Sequence, residues 1–453
     1  MEVTQAAHPL PAREPEWVRR VYADPTALGD IAEAVGGGPF HVLHPDQFTA
    51  NLAGFVDAMV TAGVDGKVYF GKKANKAACW PRACAGANAG VDVASAPELV
   101  HALANGVRGE DLVVTGPAKT DDLLWLAARH RGLIAVDALD ELERLVAIAD
   151  AADPVRILLR VLPASNPHSR FGFDDAELAL ALDRCVEHRA RITMEGFSFH
   201  LTGYAVAPRA WQASDVIDRC LAARARGLAA TSVSIGGGFA VDYVDETAWQ
   251  EFLRDYRDDW FHTGKKFSGF YPYHADPAGG EMLSAILASS VASQHADLAA
   301  KFVQTETRLL IEPGRAMLDG CGFTVFPVLG YKQREEYGFI TASGLSLSLS
   351  EQWFASEYLP DPFLWPQRGT GVPTSACVGG SSCLETDMLS WRKIRFDRVP
   401  HRGDLLIYPN TAGYQMDSNE SEFHQLELPP KIVVTTTSDR IGWRWESARR
   451  GGM

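Results

Sequence analysis

The chain lacks a basic excess: 43 Lys and Arg stand against 57 Asp and Glu, leaving a net charge of −14. A surface of that sign repels polyphosphate, which sets aside a nucleic-acid partner and favours solubility. No apolar run reaches the about 20 residues that a membrane-spanning helix needs. Paired cysteines are missing too. The seven present (Cys79, Cys84, Cys185, Cys220, Cys321, Cys377, Cys383) are odd in number and show no Cys-x-x-Cys spacing. That excludes a zinc ribbon or a disulfide framework and predicts reduced thiols in a cytoplasm. The opening residues, "MEVTQAAHPLPAREPEW", carry acids and no apolar centre, unlike a secretory leader. What remains is an ordinary globular composition, 46% hydrophobic and 22% charged over 453 residues. One compact core does not hold that much chain, so two domains are expected.

Apolar runs are present, but they are short. Eight alternate with Ala/Leu/Arg-rich stretches: "KVYFGKK" (67–73), "VDVAS" (91–95), "LVVTG" (112–116), "LIAVD" (133–137), "RILLRV" (156–161), "EGFSFHL" (195–201), "SVSIGGG" (232–238) and "RLLIEPG" (308–314). The segments between them, such as "TDDLLWLAARHRG", carry helical spacing. Strands that are apolar throughout, each followed by a helix, build parallel sheets covered on both faces. Eight such units predict a closed (β/α)₈ TIM-type barrel, with an open doubly wound sheet as the alternative.

Helical spacing fades near Gly322. "FTVFPVLGYKQ", "YGFITASG" and "KIVVTTTS" alternate with turn residues, which predicts an antiparallel, barrel-like β domain over 321–453. Residues 1–42 fall outside the barrel count and are expected to join that domain with a strand at "PFHVLH", leaving 43–320 for the barrel. The connection after the seventh run is long and contains the aromatic piece "DDWFHTGKKFSGFYPYH" (258–274). It is expected to pack on the surface; a lid or dimer contact over 240–305 is the alternative.

Unusual residues collect where the strands end, the edge at which such barrels build their sites. Lys72 and Lys73 end the first run, His200 the sixth, Gly236, Gly237 and Gly238 the seventh, and Glu312 to Arg315 the eighth. Taken singly, each has a plain reading: a hydrogen-bonded histidine, a tight turn, a solvated amine. Their coincidence on one rim is informative. Glycines there let backbone N–H groups approach a phosphate, and an arginine adds a bidentate partner. A desolvated lysine is expected to have a lowered pKa and to attack carbonyls. A phosphate anchor, an acid able to keep a ring nitrogen protonated and an imine-forming lysine together suggest pyridoxal 5′-phosphate.

These residues resemble the fold-type III pyridoxal-phosphate decarboxylases, the group of ornithine, diaminopimelate and carboxynorspermidine decarboxylases. The resemblance runs from about Pro39 to about Val434, on "KKAN" (72–75), "VDVASAPEL" (91–99), "SRFGF" (169–173), "FHLTGY" (199–204), "IGGGF" (235–239), "EPGR" (312–315), "GGSSCLETDML" (379–389) and "GDLLIYPNTAGY" (403–414). It implies an N-terminal barrel, a C-terminal β domain and a homodimer with shared active sites. It implies decarboxylation of an amino acid or derivative through an external aldimine and a quinonoid. By the same matching, Lys73 carries the cofactor and Lys72 is structural or solvated. His200 stacks on the ring, Asp92 and Arg160 support the lysine, and Glu312 pairs with the pyridine nitrogen. Thr202, Gly237, Gly238, Gly314, Arg315 and Tyr414 hold the phosphate. Cys383 is the reactive thiol supplied across the dimer, and Asp387 faces the substrate.

Three departures stand out. Leu384 follows the cysteine where the family often places an acid that reads a distal amine. The histidine motif reads His200-Leu201-Thr202-Gly203 instead of His-x-Gly-Ser. The segment that usually carries an arginine for a second carboxylate reads "ITASGLSLSLSEQWF" (340–354), with none. Diaminopimelate and plain ornithine therefore fit poorly; a less charged or carrier-bound substrate fits better. Two other classes stay open: a racemase or epimerase of the same fold, and a catalytically silent regulatory homologue. Glu312 favours decarboxylation, because racemases of this fold usually place an arginine there.

Overall fold

The computed structural model describes residues 7–150, 152–291, 296–349, 351, 355–367, 371–437 and 440–447. A short strand, β1 (Phe40–Leu43), precedes the barrel. The barrel strands follow in chain order: β2 (Gly66–Gly71), β3 (Gly90–Val93), β4 (Leu112–Val114), β5 (Leu133–Val136), β6 (Val155–Arg160), β7 (Ile192–Ser198), β8 (Ser232–Ser234) and β9 (Arg308–Ile311). They form a closed parallel barrel in which β9 returns to β2, as the eight apolar runs predict. The doubly wound alternative is set aside.

Alternation along these strands sorts the residues. Val68 and Phe70 of β2, and Val91 and Val93 of β3, pack outward in the main core, beneath helices such as Pro45–Thr61 and Ala96–Ala104. Tyr69, Val113, Leu133, Leu158 and Leu310 form a separate buried cluster inside the barrel. Two residues further along their strands, the same inward face reaches Arg160 and Glu312, and β3 and β8 bring Asp92 and Ser234 to it. An apolar floor with polar groups above it follows directly from period-two alternation. At the opposite end of the barrel, Lys67–Asp111 and Arg156–Glu195 pairs close the bottom.

The second domain contains β10 (Gly322–Gln333), β11 (Gly338–Ala342), β12 (Phe363–Trp365), β13 (Thr374–Gly379), β14 (Met388–Phe396), β15 (Leu405–Tyr408), β16 (Lys431–Thr436) and β17 (Ile441–Trp445). β1 joins it between β10 and β16. The sheet is mixed, not wholly antiparallel: β1 runs parallel to β16, and β11 runs parallel to β13. Two N-terminal helices, Glu16–Ala23 and Ala27–Val35, cover this sheet through Trp17, Val18, Val21, Leu28 and Ile31, so the segment adds more than a strand.

The long connection between β8 and β9 corrects an expectation. It is not a surface insertion. Tyr243, Tyr271 and Tyr273 are buried and pack edge-on against one another, and Tyr243 and Tyr273 also meet Tyr358 of the second domain. Phe261 bridges to Arg392 of β14. The connection therefore ties the barrel rim to the β domain; residues 292–295 of it lie outside the described residues.

Candidate active site

Strand β2 stops at Gly71, and Lys72–Ala74 form one turn of 3₁₀ helix. The two lysines thus stand on a helical turn and not on the strand. Lys72 is 3% exposed, held to the Lys76 carbonyl at 3.4 Å, and burial lowers its pKa. Lys73 reaches the cavity, where its Nζ donates to Asp92 Oδ2 at 3.0 Å. Thr115 Oγ1 donates to the other Asp92 oxygen at 2.6 Å and fixes that carboxylate. The Asp92 charge raises the Lys73 pKa more than desolvation depresses it, which corrects the expectation of a lowered value. Asp92 keeps this amine charged.

Glu312 lies at the end of β9, and the Ser234 hydroxyl donates to its Oε1 at 2.6 Å. Burial, reinforced by Asp92, raises its pKa from 4.5 to about 7; the Ser234 bond, Lys73 and Arg160 oppose the rise. Arg160 pairs with Asp137 at 3.1 Å and stacks 4.4 Å from the Phe171 ring centroid. His200 lies just past β7. Burial, with Lys73, Arg160 and Arg209 nearby, pushes it down to about 4, so its imidazole is neutral and offers an uncharged flat face.

The glycine run after β8 needs its glycines. A Cβ at Gly237 would meet the Glu312 carbonyl at 2.6 Å, and Gly238, at φ +77°, would place one 2.5 Å from Arg209 Nη2. Arg315 is buried, bonded to Glu351 Oε1 at 3.1 Å and the Gly413 carbonyl at 3.3 Å, and stacked on Tyr271 and Tyr414. Tyr414 holds a left-handed backbone at φ +74°, and its N–H reaches the Ala74 carbonyl at 2.8 Å, beside the lysine turn. Strain of that kind persists where packing over-determines it.

A cavity of about 840 Å³ gathers most of the expected residues: Lys73, His200, Thr202, Gly237, Gly238, Glu312, Gly314, Arg315 and Tyr414. Asp92 and Arg160 stand behind this wall. Cys383 and Asp387 do not line the cavity. Cys383 is exposed on a turn after β13, with its Sγ 3.3 Å from His424 Nε2. Asp387 is buried, accepting the N–H groups of Ser346 at 2.7 Å and Ser382 at 3.1 Å, so it organises its own loop. Leu384 is 51% exposed beside Cys383.

Sequence reasoning missed Ser234, Glu351 and Arg209. Ser234 was legible in principle, standing two residues before the glycines on an inward position. The other two depend on tertiary contacts across 36 residues of chain (Arg315 to Glu351) or on a helix facing (Arg209). The cavity suits a flat, phosphorylated heterocycle: a bare glycine wall with a buried cation behind it, a neutral imidazole face, a buried acid and an amine.

The family model "Pyridoxal-dependent decarboxylase, pyridoxal binding domain" matches residues 48–271. The uncharacterized protein y4yA of Sinorhizobium fredii is 35% identical over 403 residues, 88% of each chain. A diaminopimelate decarboxylase of Actinosynnema pretiosum is 26% identical over 433 residues, 91% of this chain and 87% of the relative. Among solved structures, the diaminopimelate decarboxylase of M. jannaschii superposes with a TM-score of 0.72 at 18% identity, covering 91% of this chain and 90% of that one. The lysine/ornithine decarboxylase of Vibrio vulnificus, complexed with putrescine, gives 0.68 at 18% identity, covering 90% and 97%. The chain belongs to the fold-type III pyridoxal 5′-phosphate-dependent decarboxylases and is an enzyme of the carboxy-lyase kind.

Proposed function

We propose that this enzyme removes the carboxylate of an amino acid or amino-acid derivative whose distal end is uncharged or carried on a larger group. The observation that carries the reading is Glu312, a buried acid fixed by Ser234 on the inner barrel wall. When bound, the cofactor supplies an electron sink for the pair left behind as CO₂ departs. Lys73 would hold it covalently, once its amine has released the proton that Asp92 stabilises. Glu312 would hold a proton at the ring nitrogen, which would keep that sink strong. His200 would offer a neutral face to the ring. Gly237, Gly238, Gly314, Arg315, Thr202 and Tyr414 enclose the phosphate, and Arg160 supports the electrostatics around Lys73 and Glu312.

The substrate's distal end is read from the motif departures and from the cavity lining. Leu384 occupies the place of an amine-reading acid, and the described part of 340–354 contributes Glu351 to Arg315 and no guanidinium. Leu201, Tyr204, Phe239 and Pro272 add apolar lining. A panel of amino acids differing in side-chain charge, scored for CO₂ and amine product, tests this. Turnover of apolar or extended substrates above lysine-like and diaminopimelate-like ones supports the reading; the reverse order overturns it. CO₂-free loss of optical activity favours a racemase instead.

The protein is further read as a cytoplasmic homodimer. All seven cysteines are free, and among the described residues no helix is long and apolar enough to cross a membrane. Cys383 and Asp387 lie off the chain's own cavity, as expected if that loop completes the partner's site, where the thiol manages protonation of the reacting carbon. Mixing inactive Lys73→Ala and Cys383→Ala chains is expected to restore up to about a quarter of wild-type activity, since some heterodimers then hold one intact site. No recovery despite measured subunit exchange argues against sharing.

A further inference from the structure

Among the described residues, three of the four buried guanidinium groups come with a carboxylate. Arg315 has Glu351, Arg392 has Asp361 and Arg398 has Asp404. Arg209 is the exception. It is 1% exposed, and among the described residues no carboxylate pairs with it. Its Nη2 donates to the carbonyls of Leu201 at 3.4 Å and Gly203 at 3.2 Å, and its Nη1 to Ala205 at 3.4 Å. Its Nε is buried with no partner. Neutral carbonyls satisfy hydrogen bonds but do not neutralise a charge, and a buried unpaired charge is costly.

The location sharpens the cost. Arg209 stands in the first turn of helix Val206–Ala225, which carries no acidic residue there. The positive end of the helix dipole disfavours a cation at that place. Burial pushes the guanidinium down to about 10, and its charge is among those depressing His200. Everything local argues against a positive group, and yet one is there.

What lies in front of it explains this. All three acceptor carbonyls belong to Leu201–Ala205, which lines the cavity, and the Gly238 backbone lies directly against Nη2. The guanidinium is thus one backbone layer behind the wall formed by Gly203, Gly237 and Gly238. The guanidinium holds the carbonyls of Leu201, Gly203 and Ala205 toward itself and so fixes the loop's path. Gly203 also stands where the resemblance expects a serine hydroxyl, which leaves the Thr202 hydroxyl beside it to serve this loop. Arg315, meanwhile, shares its charge with Glu351.

We propose that Arg209 is the buried counter-charge for the phosphate of the bound cofactor, acting through the Leu201–Ala205 and Gly236–Gly238 backbone without touching it; this rests on the cofactor assignment. It is a positioning residue, and its signature is phosphate-specific.

The test compares pyridoxal 5′-phosphate, pyridoxal and inorganic phosphate on cofactor-stripped wild type, Arg209→Met, Arg209→Gln and Arg209→Lys. The Met and Gln variants should bind pyridoxal 5′-phosphate about 30-fold more weakly, while pyridoxal affinity stays within about threefold. Arg209→Lys should recover most of the loss; Gln keeps donors for the carbonyls but no charge, and should not. Inorganic phosphate should raise the melting temperature of wild type and the Lys variant only. Equal losses for both vitamers, or a phosphate response retained in the Met variant, overturn the proposal and leave Arg209 a structural residue. A wild type that binds neither pyridoxal 5′-phosphate nor phosphate overturns the cofactor assignment instead.

Discussion

Lys73→Ala protein is expected to bind pyridoxal 5′-phosphate only reversibly and to lose turnover by roughly three or more orders of magnitude, the scale of removing a covalent nucleophile. Borohydride treatment followed by peptide mapping should fix the cofactor to Lys73 in wild type and to nothing in the variant. Lys72→Ala is the control. Lys72 is buried, faces the Lys76 carbonyl and is absent from the cavity wall, so its loss should leave the label on Lys73. Asp92 makes the result more telling than a simple knockout. It fixes the Lys73 amine in the cavity, a position and a partner that Lys72 lacks. Label on Lys72 in the wild-type protein would mean that the turn after β2 has been read one residue out of place.

Much of this architecture is legible in the sequence. Each of the eight apolar runs became a barrel strand, because a strand covered on both faces must be apolar throughout and little else in a soluble chain looks that way. The rim residues followed, since closure of the barrel places strand ends together regardless of their separation in sequence. The pattern failed where side-chain direction, not residue type, decides. A lysine pair at the end of a strand-like run could not announce that the strand stops at Gly71 and a 3₁₀ turn begins. The raised pKa of Lys73 depends on Asp92, which lies on the neighbouring strand at a distance no spacing rule gives.

Arg209 and the tyrosines of the β8–β9 connection escaped for a related reason. On a helix, an arginine four residues into "VAPRAWQAS" is ordinary; only docking of that helix against the glycine loop buries it. An aromatic-rich connection reads as a surface insertion until a second domain is packed over it. Both cases belong to the interface between the barrel rim and its surroundings, where the local pattern carries least information. That same rim holds one departure from the family motif, at Gly203, whereas Leu384 lies away from it on the turn after β13.

Glu312→Gln separates decarboxylation from racemisation on physical grounds, and it carries a second readout that needs no substrate. Loss of CO₂ leaves two electrons on the α-carbon, and a protonated pyridine ring delocalises them. An adjacent anion keeps that proton in place by raising the nitrogen's pKa. Glutamine keeps the size and a hydrogen bond to Ser234 but removes the charge. Cofactor binding should survive, since the phosphate contacts are elsewhere. Turnover should fall by about two or more orders of magnitude, about 3 kcal/mol of transition-state stabilisation. CO₂ release and α-proton exchange on the same variant show which step is lost. In the cofactor-free protein the folded pKa is about 7 against an ordinary 4.5. A raised carboxyl contributes stability that is full below 4.5 and lost as pH rises through about 7. That difference amounts to about 3 kcal/mol. Stripped wild type should therefore lose more stability than stripped Glu312→Gln between pH 5 and pH 8, and subtracting the two removes the titration of Glu14 and Glu357, which also lie near pH 7. A Gln variant that decarboxylates at nearly the wild-type rate removes Glu312 from the mechanism, and with it the main reason for preferring CO₂ loss over racemisation at this site.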